Sequence, residues 1–83
     1  MIKQHCIVVV TASWVFLGDV TDLPEQGIIR IENAFNIRQW GTTKGLGEIA
    51  LKGPTSSTVL DAYGVVELAR TSEVFRIACS YKS

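Results

Sequence analysis

The chain has little of what protein chemistry is usually built from. It carries one histidine, two cysteines, two prolines and one methionine, and its eight Lys and Arg residues cancel its eight Asp and Glu residues. Each shortage excludes something. One histidine and two cysteines, Cys6 and Cys79, offer none of the ligand spacings of a metal site. His5 and Cys6 are neighbours, but adjacent strand residues point to opposite faces, so they cannot act together as base and nucleophile. Carboxylate pairs such as Asp19 with Asp22, or Glu48 with Asp61, read as solvated surface charge. Together these point away from an enzyme and give no cofactor. With no basic excess the chain does not read as a nucleic-acid binder, and with no acidic excess it does not read as a DNA mimic. A disulfide scaffold of this size would hold more cysteine. Buried reduced thiols are expected, with a Cys6–Cys79 bridge between terminal strands as the alternative. Long hydrophobic runs are missing too. Cys6–Ala12 (CIVVVTA) is too short to span a bilayer and lacks the flanks of a signal peptide, so no membrane association and a cytoplasmic location are expected.

What is present belongs to a folded domain. Of 83 residues, 47% are hydrophobic and only 19% charged, enough apolar surface to offset the entropy of ordering. One domain over residues 1–83 follows from the length. A small, neutral, apolar chain also tends to associate, which favours a homo-oligomer. Cys6–Ala12 is β-branched and continuous, as in a strand covered on both faces. Trp14–Thr21 reads as a second strand, with Gly18 marking a bulge or bend. Asp22–Gly27 is a turn around Pro24. Ile28–Glu32 alternates, placing Ile29 and Ile31 on one face. Asn33–Ala34 permits a bend before Phe35–Trp40 continues. Later segments read as Thr58–Leu60, a turn at Asp61–Gly64, Val65–Leu68 and Val74–Tyr81, for a total of about six or seven short strands. The expected fold is mostly β, a small open barrel or a strongly bent antiparallel sheet with one short helix.

That helix falls in Trp40–Gly64, which holds five of the seven glycines. Lys44–Lys52 spaces Leu46, Ile49 and Ala50 as one helical face, Thr42 or Thr43 is placed to cap it, and Gly53-Pro54 stops it. Gly45-Leu-Gly-Glu-Ile-Ala50 matches the G-x-G-x-x-A form of a dinucleotide fingerprint. The helix is too short and the chain too β-rich for that assignment, and no phosphate-loop Gly-Lys-Ser/Thr is present. The weaker physical idea survives. Backbone amides at Gly45 and Gly47, the hydroxyls of Thr42 and Thr43, and Lys44 suit an anion. Thr55 and Ser56 form a second hydroxyl-rich lip, and Arg38 and Trp40 supply a cation and a stacking ring for a nucleotide. The competing reading is a turn, a cap and a core or interface tryptophan.

A pattern runs through most of the chain: Trp14, Gly18 and Val20; then Asn33, Ala34, Asn36, Ile37 and Trp40; then Gly45, Leu46, Ile49, Ala50, Gly53 and Pro54. It resembles small bacteriophage and prophage proteins of unassigned function. The resemblance carries no catalytic residue. It implies an accessory protein in a bacterial host's cytoplasm, of the kind that counteracts bacterial immunity. One mode is sequestration of an anionic, nucleotide-like signal in an oligomer. The alternatives are a protein–protein inhibitor of a host defence complex, anti-CRISPR-like, and a structural or regulatory phage protein.

Overall fold

The computed structural model of the chain describes residues 3–81. Five strands and one helix follow in order: β1 (Gln4–Val10), β2 (Trp14–Leu23), β3 (Ile28–Gln39), α1 (Leu46–Lys52), β4 (Val59–Ala69) and β5 (Glu73–Ala78). They form one antiparallel sheet ordered β4-β3-β2-β1-β5. The fold is the strongly bent sheet with one short helix, and it is not closed into a barrel, because the edge strands β4 and β5 do not pair.

The connections force the bend. The three residues Arg70–Ser72 join β4 to β5, which lie at opposite edges of the sheet. Four Cα steps reach at most about 15 Å, whereas four flat strand spacings alone need about 19 Å. The sheet therefore folds over itself. The crease runs through irregular pairing at Gly18, Asn33 and Gly64, where the β2–β3 and β3–β4 registers shift. Gly18 is required there: an added Cβ would stand 2.6 Å from Ile31 Cγ2 and 2.9 Å from the Glu32 carbonyl. Asn33 takes a left-handed φ of 51°, a conformation asparagine tolerates better than most residues.

This corrects the expected strand count. Asp61–Gly64 is no turn. β4 runs unbroken through it, and Gly64 lies within a bulge opposite Ala34. Local composition could not distinguish the two, since a glycine beside an aspartate suits both a turn and a bulge.

Folding over creates two cores. Alternation along β1 sends Cys6, Val8 and Val10 to the inner one, with Phe16, Val20, Ile29, Ile31 and Ala34. It sends Ile7 to the outer one, with Val15, Leu17 and Ile37. Cys6, Ile7 and Val8 have no exposed surface, as a strand covered on both faces demands. The helix covers the outer core with Leu46, Ile49 and Ala50, and burying the two larger side chains contributes about 1.5–3 kcal/mol each. It starts at Leu46, two residues later than expected, and ends at Lys52 with Gly53 as its C-cap. The terminal strands β1 and β5 do pair, yet both thiols are free. Cys6 lies in the inner core and Cys79 packs against the outer one.

Candidate functional site

The segment from Gln39 to Thr58 is closed upon itself. Thr55 Oγ1 donates to the Gly41 carbonyl at 2.7 Å, and Thr58 Oγ1 donates to the Trp40 carbonyl at 2.7 Å. The Gln39 amide reaches the Ser57 carbonyl, and the Thr55 and Ser57 amides donate to the Thr58 and Thr55 hydroxyls. Gly41 sits so close to this second strand of the loop, at φ 64°, that a Cβ would overlap the Ser57 carbonyl.

The residues expected to bind an anion are brought into one neighbourhood, with most of their polar groups already occupied. Arg38 makes a two-pronged ion pair with Asp61, at 2.9 and 3.3 Å. Thr42 Oγ1 accepts the Gly45 amide at 2.9 Å, so it turns the chain ahead of the helix, and the N-cap itself is Gly45 with no side-chain cap. Thr43 donates to Glu48 at 3.2 Å. Trp40 is 44% exposed and leans over Gly45, whose Cβ position lies 3.7 Å from the indole. Gly47 and Ser56 are exposed, and Lys44 has no ion-pair partner among the described residues.

The carboxylates that read as surface charge each have a separate partner. Asp19 accepts from His5 Nδ1 at 2.9 Å, and Asp22 accepts from Arg76 at 2.9 Å. Glu48 faces Thr43 and Asp61 faces Arg38. His5 and Cys6 diverge as alternation requires, and no cluster of three metal-ligating side chains occurs among the described residues.

One polar chain was invisible from spacing, because it joins residues 76 positions apart. His5 Nδ1 lies 2.9 Å from Asp19 Oδ1 and Nε2 lies 2.8 Å from the Tyr81 hydroxyl, so both ring nitrogens are hydrogen-bonded. Asn33 donates to the second Asp19 oxygen. The His5 hydrogen bond, then that of Asn33, hold the Asp19 carboxyl below its usual range against the opposing effect of burial. Burial pushes the Tyr81 hydroxyl up and the Cys79 thiol up to about 11. The Tyr81 ring packs 3.3 Å from the Cβ position of Gly53, and the Cys79 and Ser80 amides donate to the His5 and Ala50 carbonyls. This chain fastens residues 79–81 across β1 and α1. Its polar atoms are spent on each other.

A second surface is different in kind. Where the sheet folds over, a groove of about 450 Å³ opens between the β1–β2 tip and β4, lined by Val10, Trp14, Phe16, Tyr63, Val66 and Leu68 among others. Trp14 and Phe16 alternate on β2 and stack with planes 5° apart, and Tyr63 meets both edge-on at centroid distances of 6.4 and 5.8 Å. Trp14 is 45% and Tyr63 47% exposed. No charged side chain among the described residues lines the groove. The W-x-F alternation was a usable sign of it, but the third ring sits in what reads locally as a turn.

No helix among the described residues is long and apolar enough to cross a membrane. Searches of protein-family models, curated proteins and solved structures find no match to this chain.

Proposed function

We propose that this protein acts by binding rather than by catalysis, and that its working surface is the Trp14–Phe16–Tyr63 groove. The observation that supports this is three contacting aromatic rings of which two remain about half exposed. Tryptophan and tyrosine dominate the energetic centres of protein interfaces, where their apolar bodies fill pockets and their polar edges find partners. The groove has the volume for one or two apolar side chains of a partner protein. With no cation on its walls among the described residues, it does not suit a phosphate-bearing ligand. Of the modes implied by the phage resemblance, this is the inhibitor that covers a protein surface, with a component of a bacterial defence complex as the partner. The nucleotide mode has weaker support, because Arg38 is already neutralised by Asp61 and the loop hydroxyls hold the loop.

The test combines capture and reconstitution. The tagged protein recovers a defence component from a bacterial lysate, that component is purified, and its affinity is measured for the wild type and for Trp14→Ala and Tyr63→Ala. The expected result is a loss of tenfold or more in each variant. Unchanged affinity in both overturns the groove assignment. A nucleotide mass gained in native mass spectrometry, and lost with Lys44→Ala, restores the sequestration reading instead.

A further inference from the structure

β5 is built like an interior strand but stands at an edge. Its sequence from Val74 to Cys79 is VFRIAC, apolar toward both faces, as in strands flanked on both sides. Val74 is 59% and Phe75 49% exposed. Edge strands are normally blunted by unpaired charge, proline or a central bulge. β4, the other edge, has such a bulge at its centre. β5 has a register shift only at its start, beside Val74, and its one inward cation, Arg76, is held by Glu73 and Asp22.

The hydrogen-bond phase shows which groups remain free. The Cys79 amide donates to the His5 carbonyl of β1. Antiparallel bonding alternates, so Ile77 and Phe75 also turn their amides toward β1, and Arg76 and Ala78 turn theirs outward. No backbone partner meets those outward groups among the described residues.

We propose that the outer edge of β5 pairs, antiparallel, with β5 of a second copy of this chain, on a two-fold axis at Ile77. This goes beyond the groove assignment and does not rest on it. A two-fold centred on any one residue keeps like faces together; the one centred on Ala78 needs Ser80, whose amide is already held by the Ala50 carbonyl. The one centred on Phe75 needs Val74, which the register shift displaces. The one centred on Arg76 sets two guanidinium groups directly opposite, a repulsive cross-strand pair. The register centred on Ile77 pairs Arg76 with the small Ala78 of the other copy and forms its bonds through the outward-facing residues. It also lays Phe75 against the other copy's Cys79, covering the exposed ring. The strand pairing is short, well under the about 1,600 Å² of a standard interface, so association is expected to depend on concentration.

Phe75→Cys tests the register, because it places a new thiol opposite a native one in a non-hydrogen-bonded pair, about 4.5 Å apart at Cα, within reach of a disulfide. Mild oxidation with copper phenanthroline is expected to give a covalent dimer, and adding Cys79→Ser is expected to abolish it. A dimer that persists without Cys79 overturns the register, and no dimer at millimolar protein overturns the pairing. A second variant reads the wild-type edge. Ala78→Pro removes an outward amide that β1 does not use, so a folded monomer is expected by sedimentation where the wild type shows a rising mass. Equal masses for the two at all concentrations overturn the proposal.

Discussion

The loop from Gln39 to Thr58 and the aromatic groove make opposite use of their side chains. The loop is rich in polar groups, yet the Thr42, Thr43, Thr55 and Thr58 hydroxyls all have partners within it, and Arg38 has Asp61. The groove is poor in polar groups and leaves ring surface uncovered at Trp14 and Tyr63. A polar group that already has a partner holds the fold together. Surface left without a partner is what remains to bind with. Loop substitutions should therefore cost stability, and groove substitutions should cost binding.

The strongest way to break it is at Gly41. Gly41→Ala forces a left-handed φ of 64° on a residue with a Cβ, against the Ser57 carbonyl. Strain of about 1–2 kcal/mol and overpacking of about 1–3 kcal/mol make a loss near 3 kcal/mol the expected outcome in urea unfolding. Thr58→Val comes next, since it removes the donor to the Trp40 carbonyl and the acceptor of the Thr55 amide. A loss of about 1–2 kcal/mol is expected for groups left unsatisfied. If both variants unfold like the wild type, the hydrogen bonds that close the loop do not hold the fold.

Trp14→Ala sharpens the other side. The ring is half exposed and stacks on one face with Phe16, so stability should fall by only about 1 kcal/mol, the scale of an aromatic pair. Partner affinity should fall far more. A variant that instead loses several kcal/mol of stability would make the cluster a core element and remove the contrast.

The parts of this molecule that obey a local period were legible in its residues. β1 reads as doubly buried because its β-branched run is continuous, Ile29 and Ile31 alternate, and Leu46, Ile49 and Ala50 share a helical face. The bends at Gly18 and Asn33 were also legible, as residues that tolerate crowding or positive φ. The groove was not, because it forms only when the sheet folds over and brings Tyr63 across to Trp14 and Phe16. The same holds for the Asp19–His5–Tyr81 chain. Hydroxyl-rich glycine segments look alike in sequence whether their donors face a ligand or their own backbone. At Thr55 and Thr58 they face the backbone.

That polar chain gives a smaller, pH-dependent prediction. The Asp19 carboxyl titrates below its usual range because His5 and Asn33 hydrogen-bond the charged form. The native state then binds fewer protons than the unfolded chain around pH 4. The stabilisation is complete above the ordinary carboxylate value, ~4, and is lost as pH falls through the lower native value. Asp19→Asn keeps an oxygen for His5 Nδ1 but has nothing to titrate. Urea unfolding at pH 7 and pH 3 should show a smaller acid loss in the variant. Equal losses would mean that the His5 contact contributes nothing to the native titration.

The smallest expected effect falls on the residue that an anion-binding loop would need most. Lys44 is exposed and without an ion-pair partner among the described residues. Surface substitutions away from special features stay within about 0.5 kcal/mol, so Lys44→Ala should unfold like the wild type and bind the groove's partner equally well. Its value lies in what else it reports. Arg38 is claimed by Asp61, Lys44 is the cation next to Gly45 in the chain, and an anion held by the Gly45 and Gly47 amides would lose its counter-charge with it. A Lys44→Ala protein that behaves as wild type in both assays leaves the loop as structure. A defect confined to this variant would show that one of the loop's groups was kept free for a ligand, and the contrast between loop and groove would fail at that residue.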